Sequence, residues 1–257
     1  MSDRPMHNIP GAFQKLQTLY AEGEAQIAAG DLEAAVRTFT EGIAIDDHFR
    51  QRYITMYAHR AFALQKLGRL DEAVADYTKA IELEHPEENR AQYHFHRGLA
   101  LQSLPTETDE ARRANVERAI ADFGSSIALY PNHPGPYHLR GKLLVNELER
   151  FEEAIVDLDK VLSMRPNADA LTQRGFAHFN LAHFAEARAD FERAKEMAGD
   201  PYNDYMLAAV HAKLGDGAKV VEHAKLALDA DEAYREYFAS DDDFDPYRSD
   251  PAFAKLC

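Results

Sequence analysis

The sequence predicts an all-α protein built as a linear array of antiparallel helix pairs. Three observations carry this expectation: one stretch recurs along the chain, apolar residues keep a helical period, and Gly or Pro marks the joints. The clearest copy of the stretch is residues 68–86. Gly68 ends a preceding helix, and Asp71 or Glu72 places negative charge at a new helix start, where the dipole favours it. Ala73, Val74, Tyr77, Ala80 and Ile81 then form one apolar face, and Pro86 stops the helix.

The elements follow in order. Residues 1–11 read as a loose leader. A first helix spans Ala12 to Ala29, with Phe13, Leu16, Leu19, Tyr20 and Ile27 apolar, and Gly30 ends it. Its partner covers about Leu32 to Asp46. The second pair runs from Arg50 to Leu67 and from Asp71 to Glu84, and the third opens near Asn89. The fourth is expected after Pro134-Gly135-Pro136, the fifth after Pro166-Asn167 and the sixth after Pro201. Short joints of this kind make neighbouring helices antiparallel.

Small residues recur in the first helices as Gly23, Ala61, Gly98, Gly141, Gly175 and Ala208. Second-helix positions recur as Ala35, Ala73, Ala119, Ala154, Ala187 and Val220, spaced by 38, 46, 35, 33 and 33 residues. This pattern resembles the tetratricopeptide repeat, a helix–turn–helix unit of about 34 residues. The resemblance covers 12–230 and implies a right-handed superhelical solenoid that binds protein partners along a concave face. The largest departure lies near 103–117, where Thr106 or Thr108 is expected to cap a second helix that starts about two turns early. Beyond the array, 231–257 reads as a capping helix on Tyr234, Tyr237 and Phe238. A solvated acidic linker at Asp241–Asp245 and a short helix begun by Asp250-Pro251 are expected to follow.

Arg precedes the small residue in four units, as Arg60, Arg97, Arg140 and Arg174. Asp follows the alanine by three positions in the same four, as Asp76, Asp122, Asp157 and Asp190. The end units lack both, with Glu22 and Thr38 in one and Leu207 and His223 in the other. Because the repeat pattern sets these positions face to face, four structural Arg–Asp ion pairs are expected, in preference to an arginine ladder for an anionic ligand.

The resemblance places Thr55, His59, Phe62 and Gln65 on the concave face, followed by Gln92, Phe95, His96 and Leu99. His138 and Lys142, then Thr172, Gln173 and Phe176, continue it. Rings and amides in adjacent rows suit an extended peptide. The Lys/Asn/Arg set with which one group of the family clamps a C-terminal carboxylate is not matched. A net charge of −15 over 257 residues, with no Lys/Arg stripe, speaks against nucleic acid and makes a charged partner basic. No apolar run is long enough for a membrane span, and the one cysteine, Cys257, allows no disulfide framework.

A cytoplasmic, monomeric, non-enzymatic interaction module with no cofactor is therefore expected. Two alternatives stand beside it: a self-assembling scaffold, and a small-molecule or metal site at His59, His96 and His138. His94 and His96, two apart on a helix, point away from each other and do not chelate together.

Overall fold

A computed structural model describes residues 11–45, 50–83 and 86–256, without the side chains of 50–54. The expected leader up to residue 10, the helix ends at Asp46 and Glu84, and Cys257 lie outside these residues. Among the described residues all regular structure is helical, and no helix is long and apolar enough to cross a membrane.

The chain divides into two compact units, 1–136 and 137–257, where the sequence reads as one array. The first unit holds α1 (Ala12–Ala29), α2 (Leu32–Ile45), α3 (Arg50–Lys66), α4 (Leu70–Leu83), α5 (Glu87–Gln102) and α6 (Asp109–Leu129). The second is formed by α7 (Pro134–Asn146), α8 (Phe151–Met164), α9 (Ala168–Asn180), α10 (Phe184–Ala198), α11 (Pro201–Leu214), α12 (Gly217–Ala230) and α13 (Tyr234–Ser240). A 3-10 helix, Asp242–Tyr247, follows α13. In the first unit α1 packs on α2, α3 on α4 and α5 on α6, and the first helices also stack on one another, α1 on α3 and α3 on α5.

Two helices begin earlier than their prolines suggested: α7 starts at Pro134 and α11 at Pro201. Amides of the first helical turn have no intrahelical acceptor, so proline loses nothing there, and its fixed φ suits the position. The long second helix of the third pair is present as α6, with Thr108 Oγ1 accepting from the Ala111 amide and residues 107–114 exposed.

Four pairs are held close by a glycine on the first helix. A methyl group built on Gly98 would lie 2.8 Å from Phe123 Cε1, and one on Gly175 would lie 3.0 Å from Phe191 Cε1. Gly23 faces Phe39 more tightly still, and Gly141 faces Leu158. The facing side chains Phe39, Phe123, Leu158 and Phe191 are fully buried. Phe13 departs from the expected apolar face of α1 and is 48% exposed.

The chain end differs from the sequence reading in three places. Phe238 is buried, but Tyr237 is 58% exposed, because one turn of a seven-residue helix cannot aim both inward. Asp241–Asp245 is a packed 3-10 segment and not a solvated linker. Asp241 caps it and accepts from the Tyr205 hydroxyl, Lys213 pairs with Asp243, and Phe244 is fully buried. Residues 251–256 form turns in place of the expected helix, with Asp250 Oδ1 accepting from the amides of Ala252 and Phe253. Phe238, Phe244 and Phe253 form one cluster with Ala208, Val220 and Ala224, so α11 and α12 are covered by the chain's own end.

Four helices, α1, α3, α10 and α11, stop at a glycine in the left-handed region, as at Gly30, with φ 80°, where the Asp31 amide returns to Gln26 O at 2.9 Å. Ala182 takes the same role after α9 with φ 60°, and the His183 amide returns to His178 O at 2.8 Å. A Cβ is strained there. Ala182→Gly is therefore expected to stabilise the second unit by about 0.5–1 kcal/mol, read as a raised urea midpoint at unchanged slope. A lowered midpoint would contradict this account of the turn.

Candidate partner-binding groove

The residues expected to bind a partner were read from the first helices, and the geometry divides them into three groups. In the first unit, two adjoining cavities open between stacked helices. The first, about 350 Å³, is lined from α1 by Glu24 and Ile27, from α3 by His59 and Phe62, from α4 by Tyr77 and from α5 by Gln92 and His96. The second, about 460 Å³, is lined by Glu88, Gln92, Phe95 and His96 of α5, Ser126 of α6, and Tyr130 and His133 beyond it. Gln92 and His96 belong to both. Five expected residues, His59, Phe62, Gln92, Phe95 and His96, thus gather at one groove.

A second group serves the fold. Gln65 Oε1 accepts from the buried Tyr77 hydroxyl at 3.2 Å, and the Thr55 carbonyl accepts from His59 Nδ1 at 2.7 Å. Leu99 is half-buried and lines neither cavity. A third group lies in the second unit. Lys142 donates to Asp169 at 3.0 Å, and His138 Nε2 comes within 2.8 Å of the same carboxylate, an approach in distance without hydrogen-bond geometry. The Phe176 ring packs 6.4 Å from Phe151, Thr172 Oγ1 donates to Asn203, and Gln173 Oε1 is buried without a hydrogen-bond partner.

The histidines of the groove are set in rings. His96 stacks on Tyr77 at 5.9 Å and meets the edges of Phe62 and Phe95. His59 packs edge-on to Tyr20, with its Nε2 3.5 Å from Glu24. His94 turns the other way, placing Nδ1 2.8 Å from Asp122 Oδ1. Among the described residues, no three His, Cys, Asp or Glu side chains gather as a metal site would require.

Four helix pairs each carry an Arg–Asp contact. Arg60 Nε and Nη2 donate to the two oxygens of Asp76 at 2.7 and 2.8 Å. Arg97 with Asp122, Arg140 with Asp157 and Arg174 with Asp190 repeat this fork at 2.6–2.8 Å. The four carboxylates are almost wholly buried.

Sequence reasoning missed a third contact of these arginines. Arg60 Nη1 donates to Thr40 of α2 and Arg97 Nη1 to Thr78 of α4, while Arg174 Nη1 meets Asp159 of α8. These three forks therefore also tie their pairs to the preceding ones. The signal is a polar residue five positions after the second-helix alanine, and in the unit before Arg140 that position is Gly124.

The sixth pair reverses the polarity. Asp204, three before Leu207 on the first helix, accepts from His223 Nδ1 at 2.8 Å and from Lys195 at 2.8 Å.

Residues 54–84, 135–167 and 168–201 match the model of the tetratricopeptide repeat family. These three segments are tetratricopeptide repeats, and the fold is that of a tetratricopeptide repeat array. Solved structures similar to it include a tetratricopeptide repeat protein from Parabacteroides merdae. That chain is 18% identical, with TM-score 0.65 over 82% of this chain and 78% of that one. The C-terminal part of a repeat-containing protein from Cytophaga hutchinsonii is 13% identical, with TM-score 0.67 over 85% and 81%. MamA from Desulfovibrio magneticus is 18% identical, with TM-score 0.60 over 70% and 96%. At these identities the likeness is one of fold.

Among curated proteins, a DnaJ homolog subfamily C member 7 homolog of Dictyostelium discoideum is 22% identical over 84% of this chain. The Hsp70-Hsp90 organizing protein of Triticum aestivum is 32% identical over 37% of it. The chain spans only 29% and 16% of those two proteins.

Two outcomes follow from the geometry. Arg60→Ala leaves Asp76 buried without its fork and should cost about 3 kcal/mol in urea denaturation. Arg97→Ala should cost about 1 kcal/mol less, because His94 still serves Asp122. Equal losses would show that His94 contributes nothing.

His96 is held below the ordinary histidine range by burial first and by the positive charge of Lys66 second. The unfolded chain takes this proton at about pH 6.5 while the folded chain resists it. Stability due to neutral His96 is therefore complete above about pH 6.5 and lost as pH falls below it. Melting temperature should drop between pH 7 and 5, and His96→Phe, which keeps the stack on Tyr77, should reduce that drop. An unchanged drop would remove His96 as its source.

Proposed function

We propose that the protein is a non-enzymatic interaction module that holds an extended segment of a partner protein in the groove of its first unit. The observation that carries this reading is the pair of cavities sharing Gln92 and His96. Aromatic side chains line both, and Gln92 stands exposed between them. Rings take the partner's apolar or planar side chains, and an amide at the divide can pair with its backbone. The names of two relatives, a DnaJ homolog and an Hsp70-Hsp90 organizing protein, agree with protein–protein interaction. The residues matching the carboxylate-clamp positions of that family are His, Phe and Gln here, so docking through such a clamp is not part of the reading.

Phe62→Glu/Phe95→Glu places a charge in each cavity without touching the Arg–Asp forks. Wild type is expected to retain a protein from native lysate that this variant loses, with unchanged circular dichroism showing that the variant is folded. Retention of the same proteins by both would end the groove assignment.

A further inference from the structure

We propose that the occupant of the groove is a basic segment, with two Arg or Lys side chains entering one cavity each. This rests on the groove reading above and adds the chemistry of the ligand.

Each cavity carries one carboxylate: Glu24, whose side chain is 49% exposed, in the first, and the exposed Glu88 in the second. No Lys or Arg is among the residues lining either cavity. The remaining walls are largely rings, with Phe62, Tyr77 and His96 in one and Phe95, Tyr130 and His133 in the other. A carboxylate beside aromatic faces is the environment that favours a guanidinium or ammonium group. The charge pairs with the carboxylate while the apolar stem and the cation's face lie on the rings.

The Phe62 ring already serves as such a platform on its flank, where Lys66 Nζ lies 5.5 Å from its centroid, outside the lining residues. The net charge of −15 acts in the same direction at longer range, drawing a basic chain toward the protein. In an extended segment, side chains two residues apart emerge on the same side about 7 Å from each other, so neighbouring cavities can be filled by one strand. Gln92, at the divide, faces the backbone between them.

The probe is a set of fluorescein-labelled, alanine-rich decapeptides with two arginines separated by one or three residues, each matched by a citrulline version. Citrulline keeps the shape of arginine and removes the charge. Anisotropy titrations with the full chain are expected to show at least one arginine peptide binding about fivefold or more tighter than its citrulline match. Glu24→Gln/Glu88→Gln should remove most of that preference. Glu107→Gln/Glu110→Gln makes the same charge change on the exposed start of α6 and should leave the preference in place.

Equal binding of arginine and citrulline peptides, no arginine peptide binding below 1 mM, or equal weakening by the two Gln pairs would each overturn the proposal. Equal binding that Phe62→Glu/Phe95→Glu abolishes would leave the groove reading standing and remove only its basic ligand. An arginine preference that persists in Phe62→Lys/Phe95→Lys, which sets a cation in each cavity, would place the binding elsewhere and overturn both.

Discussion

A glycine on one helix and a ring on the next approach so closely that neither helix can shift without a clash or a void. At Gly98 and Phe123 there is no space for a methyl group, and at Gly175 and Phe191 barely any. Interiors packed this tightly resist changes of either sign, because added atoms force displacement and removed atoms leave cavities. The polar contacts inherit this register. Arg97 immediately precedes Gly98 and Asp122 immediately precedes Phe123, so the fork forms beside the apolar contact that spaces the helices. The same adjacency recurs at Arg140-Gly141 with Asp157-Leu158 and at Arg174-Gly175 with Asp190-Phe191.

The forks then reach further than one pair. Through its third nitrogen, Arg60 meets Thr40, Arg97 meets Thr78 and Arg174 meets Asp159, each on the preceding helix. A repeat protein gains stability from each unit and from each interface between neighbours. One guanidinium contributes to both here, since its planar set of donors serves two helices at once. The last pair solves the problem differently, placing the carboxylate of Asp204 on the first helix, where it accepts from Lys195 and from His223 Nδ1. Its outer side is closed by Phe238, Phe244 and Phe253 of the chain's own end.

The groove follows from the stacking of first helices. Once α1, α3 and α5 lie side by side, residues of their shared face stand in rows, and His59, Phe62, Gln92 and His96 meet although 30 to 37 residues separate the α3 members from the α5 members. Fixed rings on a rigid scaffold lose little side-chain freedom on binding, which favours recognition by shape and charge.

Helix number, pairing and the small-residue register were legible in the sequence because they depend on short-range periodicity and on turn chemistry. The Arg–Asp pairing could be read from joint presence and absence in the units. Tertiary structure alone decided which face residues point into a cavity: Gln65, on the same helix face as Phe62, is taken up by the Tyr77 hydroxyl, and His94 by Asp122. It also decided that the acidic end folds as a packed 3-10 segment, since Phe244 finds its place only where α11 and α12 leave apolar surface uncovered. Local pattern fixes which backbone forms, because its causes lie within a few residues. Whether a polar side chain is spent inside the fold or left for a partner depends on neighbours distant in the chain, and those neighbours exist only once the helices have packed.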